Sequence, residues 1–505
     1  MKNWFLSILM LFGCFSFGQT LSKTEIKKAA HHKFPEALNR LKSFLKIPND
    51  GHFPEQIHAN LSYCNTVFKK LDFSTKTITT NGVPVLFAEK KFYKKAKTIL
   101  FYLQIDGQPV DTSAWHQENP FKPVLKEKVG LNKWKIIDFP SQKDKIDFDW
   151  RIFARSASDS KGPAMSFISA LEILHSKKIK PRFNVKVIMD FQEEMGSPTL
   201  PKTVTDNEQL LKADMVLIID GTRHVSNLPT LTFGARGIAT AKLKVFGPRY
   251  ALHSGQYGNF APNPVFETAK LLGGLKDENG RVTLSGFYDG IHLSDKEKQS
   301  INNVPEHLDS IKKRIGVAKA DAVGNTYQEA LQYPSLNIRG IQSGWTGSKV
   351  RTIIPEHVMV EIDMRLVPES DGTKLMESLK SYIQENGYHL VDSIPTEKER
   401  QTYPKLASFT YKLGSKPFRT EMDSNIGDFL SNALTRLYGK KFVKMRTTGG
   451  SQPMASFIKT LGVPAVSVRI PNPDNNIHSP NENFRLGNFL EGIEMCLVIL
   501  DQPIK

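Results

Sequence analysis

Residues 185–194 read Val185-Lys-Val-Ile-Met-Asp190-Phe-Gln-Glu193-Glu194. An apolar run of strand length closes on a carboxylate and then on two adjacent glutamates. The pattern recurs in Ile99-Leu-Phe-Tyr-Leu-Gln104-Ile-Asp106 and in Met215-Val-Leu-Ile-Ile-Asp220. Another short β-rich run covers 84–88. Helical spacing separates these runs, as in 164–174, and a further apolar stripe marks a helix over 25–45 that Pro48 stops. Ile57, Leu61, Cys64, Phe68 and Leu71 form one more stripe, with Cys64 a core residue. Alternation of strand and helix predicts an α/β fold with a largely parallel sheet.

Outward from these strands the texture changes. After Leu228 the chain gives strands at 231–233 and 238–246, a helix at 264–272, then strand, strand and helix at 335–339, 358–366 and 374–385. Residues 276–328 carry few signals. From about Phe418 the first texture returns, with a helix over 426–438, a strand over 465–468 and a helix over 486–500. The expected layout is a catalytic α/β domain in two parts, 19–225 and 418–505, interrupted by an inserted α+β lid or dimerisation domain over 226–417.

Composition excludes several classes. The chain has 505 residues, 40% hydrophobic, enough to bury a large core without staples. Its mean hydropathy of −0.33 and single long apolar run argue against a multi-span membrane protein. Lys and Arg number 68 against 51 Asp and Glu, a net charge of +17, but the lysines are spread and no nucleic-acid-binding motif accompanies them. At most, the charge alone supports weak attraction to anionic surfaces or polymers. Cys14, Cys64 and Cys496 are too few for a cysteine zinc site. Met1-Lys2-Asn3 followed by an apolar stretch over 4–17 and small Gly18 reads as a signal peptide over 1–18, making the protein periplasmic or secreted. Leu11-Phe-Gly-Cys14 is an alternative lipid-attachment sequence at Cys14. Either way no integral membrane segment is left after processing.

One Asp after a strand is ordinarily a cap or turn residue. Several together at the carboxyl ends of sheet strands, where α/β proteins bind ligands, repel one another unless a cation intervenes. Asp106, Asp159, Glu193-Glu194 and Asp220, with His478 in Asn476-Ile-His-Ser-Pro-Asn-Glu482, make an oxygen and nitrogen donor set suited to zinc, cobalt or manganese. No His-Glu-x-x-His, Gly-x-Ser-x-Gly or Walker pattern competes.

In this order the motifs resemble the M20 metallopeptidases, relatives of carnosinase and carboxypeptidase G2. Gln104-Ile-Asp106 resembles the family's His-x-Asp, and Ser156-Ala-Ser-Asp159-Ser-Lys-Gly162 its bridging-aspartate segment. Glu193-Glu194 resembles its paired glutamates, Leu252-His253-Ser-Gly255 and Ile362-Asp-Met-Arg365 its inserted-domain motifs, and Thr448-Gly449-Gly450-Ser451 and His478-Ser-Pro-Asn-Glu482 its last two. The resemblance implies a hydrolase cleaving amide bonds of dipeptides, short peptides or N-acyl amino acids. Asp159 is expected to bridge two ions ~3.5–4 Å apart. Glu194 and His478 would hold one ion, and Asp220 would help to hold the other. Glu193 is the implied general base on a metal-bound water, and Asp106 orients a ligand. His253, often reaching in from a partner subunit, stabilises the oxyanion. Arg365 and Gly449, Gly450 and Ser451 bind the substrate carboxylate. A homodimer through the inserted domain is implied as well.

The family's first ligand is histidine, and this chain has Gln104. Three readings follow: a weaker or harder metal held through the Gln104 carbonyl, an enzyme with one ion at Asp159, Glu194 and His478, or an exported binding protein that has lost catalysis. His116 and His224 are the neighbouring histidines that could replace the missing ligand, although surface histidines are the default.

Overall fold

The computed structural model describes residues 20–131, 133–141 and 144–504. The expected signal peptide and Cys14 lie outside the described residues. An eight-stranded sheet is built from β1 (Ser74–Ile78), β2 (Val85–Lys90), β3 (Thr98–Gln104), β4 (Asn184–Asp190), β5 (Met215–Ile218), β6 (Thr230–Thr232), β7 (Val443–Met445) and β8 (Ala465–Arg469). The spatial order is β1-β2-β4-β3-β5-β8-β6-β7. The central strands β4, β3, β5 and β8 run parallel, with Gln104 opposite Asp190 and Tyr102 opposite Ile218. β1, β2 and β6 run antiparallel to their inner neighbours. The texture change after Leu228 is therefore not the edge of this sheet, because Thr230–Thr232 still pairs with β8.

Helices α1 (Lys23–Leu45), α2 (Pro54–Lys70), α3 (Lys161–Ser176), α4 (Asn425–Tyr438) and α5 (Leu486–Leu500) cover one face. α1 starts at a capping box: the Ser22 hydroxyl accepts from Glu25 N while the Glu25 carboxylate accepts from Ser22 N. Its Ile26, Ala30, Phe34, Leu38, Leu41 and Leu45 lie on one stripe and are buried against α3 and α5. α3 and α5 are buried over nearly their whole length, which explains their near-continuous apolar sequences. Cys64 and Cys496 are buried free thiols, so this pair forms no disulfide.

A second sheet has the strand order Ser335–Gln342, His357–Leu366, Gly237–Phe246, Leu406–Leu413 and His389–Leu390. Its strands alternate: Ala239, Ala241, Leu243 and Val245 point to a core closed by helices Pro264–Gly273 and Gly372–Glu385. The sequence reading missed a third sheet of Val124–Gly130, Lys133–Ile137, Arg151–Phe153 and Asn483–Arg485. These strands are short, and Lys133-Trp-Lys-Ile-Ile leaves most of its side chains exposed or half-buried, so no apolar run marks them. This sheet pairs Phe153 with Asn483 and so brings the carboxyl-terminal motif beside the Asp159 loop. Residues 276–328 contain helices Asp295–Asn302 and Leu308–Ile315, which bury little beyond Ile301 and Ile311.

Candidate metal centre

The site lies at the carboxyl edge of β3, β4, β5 and β8. After β4 the chain makes a single turn, Glu193–Met195, closed by Gly196 at φ +82°. Asp190 anchors that turn. Its Oδ2 accepts from the Tyr102 hydroxyl (2.8 Å) and Ser197 Oγ (2.6 Å), and its Oδ1 accepts from Gln192 N (3.0 Å). Asp106, two residues beyond β3, accepts from Glu194 N at 3.0 Å. The two strand ends are thereby tied, and the Glu194 carboxylate itself accepts from Gln108 Nε2 at 2.8 Å.

Asp159 sits on the loop before α3, and Glu482 holds that loop. The Glu482 carboxylate is wholly buried. It accepts from Arg155 Nη1 (2.8 Å), Ser156 N (2.9 Å), Ser158 N (2.8 Å), Ser158 Oγ (2.9 Å) and Asp159 N (2.9 Å). Glu482 closes the His478 motif in sequence, and the five donors on its carboxylate give it a structural role there. His478, four residues earlier, has φ +60°, a conformation strained for a side chain with a Cβ. Its Nε2 stands 2.8 Å from Asp159 Oδ2 and 3.2 Å from Glu194 Oε2. One ligand atom from each of Asp159, Glu194 and His478 lies within 4.8 Å of the others. The predicted trio therefore converges, and one imidazole with two carboxylates suits a divalent ion.

Electrostatics point the same way. Burial, and then Asp220 and Asp159 nearby, push the Glu193 carboxyl well above its usual range. Burial followed by Asp159 pushes Glu194 up to about 10, and Asp220 up to about 6. Asp106 is raised by burial and by Asp190. Contact with Asp159 raises the His478 imidazole. This many buried carboxylates cannot all ionise side by side without a cation.

Other predicted residues are placed as follows. Gln104 ends β3, buried, with neither amide atom hydrogen-bonded. Asp220 accepts from the Ser160 hydroxyl. Arg365 Nη1 donates to Ser451 Oγ at 3.2 Å, joining two of the expected carboxylate-binding elements. Thr448 N donates to Gly234 O and Arg236 N to Thr448 O, which fixes the start of the Gly449–Gly450–Ser451 loop. Arg236, not foreseen from sequence, donates from Nε to Gly449 O (3.4 Å); burial and the neighbouring Arg365 push it down to about 10. His253 is exposed and accepts from Gly255 N at its Nδ1 (3.1 Å); no hydrogen bond or ion pair joins it to the acidic cluster among the described residues. The two substitute histidines do not serve. His224 is engaged by Ser226 and, at 3.0 Å, by Glu306, and His116 is exposed with no side-chain partner at the cluster.

A parallel-centred α/β sheet with an Asp–Glu–His cluster and a second, half-buried glutamate at its carboxyl edge defines a metal-dependent hydrolase. Residues 100–502 match peptidase family M20/M25/M40, and the chain belongs to that family as a metallopeptidase. It is 26% identical over 503 residues to the Cys-Gly metallodipeptidase dug1 of Schizosaccharomyces pombe, covering 94% of this chain and 97% of that one. It is 25% identical over 420 residues to the human Beta-Ala-His dipeptidase, covering 82% and 76%. Among solved structures, an M20 family metallo-carboxypeptidase from Sulfolobus solfataricus superposes with a TM-score of 0.75 at 29% identity, covering 92% of this chain and 99% of that one. No helix among the described residues is long and apolar enough to cross a membrane.

Proposed function

We propose that the protein hydrolyses the amide bond of dipeptides or other short substrates with a free carboxylate, N-acyl amino acids included, and that Glu193 moves the proton. The observation that carries this is the turn 193–195, which puts a half-buried Glu193 directly beside Glu194 of the Asp159–Glu194–His478 cluster. The names of the dipeptidase relatives support the substrate class.

A divalent ion at the cluster (zinc, manganese or cobalt) would polarise the scissile carbonyl and acidify water. The remaining work falls to side chains. Glu193, raised by burial among acids, takes the proton of the attacking water and returns it to the leaving amine. Asp106 holds the Glu194 backbone in place. Arg365, Ser451 and the glycines before it receive the substrate carboxylate through a planar cation and N–H groups. His253, supplied by the lid of a partner subunit, is assigned to the oxyanion, so the working unit is a homodimer. The lid lies between the two parts of the catalytic domain and begins later than the expected 226, after Thr230–Thr232 has paired in the large sheet. The apolar run over 4–17 supports export, with processing at Gly18 or lipid attachment at Cys14.

Glu193→Gln tests the core of this reading. It preserves shape but cannot accept the proton. In metal-loaded protein assayed on a dipeptide panel, kcat should fall by roughly 10²-fold or more with metal content unchanged. Unchanged activity would refute it. The binding-protein reading rests on Gln104 alone, and no second observation favours it.

A further inference from the structure

The carboxyl edge of the large sheet carries a cation, Arg469, in line with its acids. Across the parallel strands β4, β3, β5 and β8, the residues at or just past the ends are Asp190, Gln104, Asp220 and Arg469. β5 lies between β3 and β8, so Asp220 is flanked by Gln104 on one side and Arg469 on the other. Gln104 is 3% exposed, and neither its amide oxygen nor its nitrogen has a partner. An amide oxygen is a far poorer zinc donor than the imidazole the family pattern has there. Asp220 is already served by the Ser160 hydroxyl and the Gly221 N–H.

Arg469 is buried. Its Nε donates to Thr232 Oγ1 (2.7 Å) and its Nη1 to the Thr222 carbonyl (3.4 Å). Its guanidinium fills the space beside Gly221, where any Cβ would collide with it, and Asp220 is the acid that acts on it. Among the described residues it has no ion pair within 4 Å, so its charge is left to the Asp220 carboxylate and the edge around it. A second divalent ion held by Asp220 would sit close to this fixed charge with Gln104 as its other protein donor. The second position implied by the family resemblance does not fit these residues, whereas the Asp159–Glu194–His478 position does.

We infer that this chain holds one ion, at Asp159, Glu194 and His478, and that Arg469 supplies beside Asp220 the positive charge that a second ion would bring. The inference rests on the metallohydrolase reading above. Asp220, held by the Ser160 hydroxyl, becomes an acid whose charge Arg469 offsets without a direct ion pair rather than a ligand, and Gln104 a neutral filler with no coordination to make.

The test is metal stoichiometry on the full chain, saturated with zinc or manganese, freed of excess by gel filtration and read by elemental mass spectrometry. The wild type should carry one ion per chain, and its manganese form should give the electron-spin signal of an isolated ion. Two ions, or the signal of a coupled pair, would overturn the inference and leave the hydrolase reading standing. No ion at all would overturn both. Asp220→Asn should keep one ion per chain and Asp159→Asn should lose it; loss in Asp220→Asn with an unchanged circular-dichroism spectrum would refute the assignment. The double variant Gln104→His with Arg469→Met should rise from one ion to two. A folded double variant that stays at one would show that these two residues do not exclude the second ion.

Discussion

Replacing Glu482 by glutamine removes one charge and turns one acceptor oxygen into a donor, with almost no change of shape. Glu482 Oε1 faces Ser158 N, Ser158 Oγ and Asp159 N; Oε2 faces Arg155 Nη1 and Ser156 N. Whichever way the amide turns, its NH₂ meets at least two donors. Two hydrogen bonds to a charged group are worth about 1.5–3 kcal/mol each, or roughly 3–6 kcal/mol together. Truncating one partner of a buried ion pair independently costs about 3–5 kcal/mol. Arg155 is itself buried and, among the described residues, has no other carboxylate partner. We therefore expect Glu482→Gln to lose about 3–5 kcal/mol, a large share of a typical total of about 5–15 kcal/mol. The metal-free proteins should be compared by guanidinium unfolding, and zinc affinity by calorimetry. Because the same carboxylate holds Asp159 N, the variant should also bind zinc more weakly by at least tenfold. A loss under 1 kcal/mol with unaltered zinc affinity would refute the view that Glu482 builds the loop.

Ion uptake should eject at least one proton at neutral pH, because burial and Asp159 raise Glu194 to about 10 in the metal-free site. Affinity should then rise roughly tenfold per pH unit between pH 6 and 8, checked by calorimetry in buffers of different ionisation enthalpy. Glu494 on α5, packed toward Lys27 and Lys23 of α1, is raised by burial to about 7 from 4.5. A carboxyl raised on folding contributes stability that is full below about pH 4.5 and lost as pH rises through about 7. Glu494→Gln should therefore be more stable than wild type at pH 8, by up to about 3 kcal/mol, and the gain should vanish near pH 4.5 in unfolding curves. Burial pushes the Cys64 thiol up to about 12 and raises Cys496 further, so neither should react with Ellman's reagent until the chain is unfolded.

Much of the site was legible because its chemistry is local. Asp106, Glu193, Glu194 and Asp220 each follow an apolar strand run directly, so strand recognition alone puts them on one sheet edge. Three strands of the second sheet were legible for a similar reason, as where Ala239, Ala241, Leu243 and Val245 alternate with more exposed neighbours, while Leu406–Leu413 and His389–Leu390 were not read. What could not be read is carried by partners distant in sequence. Arg155 and Glu482 are 327 positions apart, and nothing in either segment announces the other. The short strands Arg151–Phe153 and Asn483–Arg485 that join them have too few apolar residues to stand out. Arg236 stands just before the strand Gly237–Phe246 with no motif around it, and only the fold sets it against Gly449.

The sequence by itself determined the apolar strands and helices of the large sheet's centre, the acidic strand ends and the absence of a histidine at 104, since periodicity and residue chemistry are properties of neighbours along the chain. Only the tertiary structure decided that Asp159, Glu194 and His478 converge, that His224 is spent on Glu306, and that Arg469 lies buried beside Asp220. The reason is register: strand order and a loop fixed by five hydrogen bonds choose which distant groups share a low-dielectric space, and charge acts on whatever that geometry brings within reach.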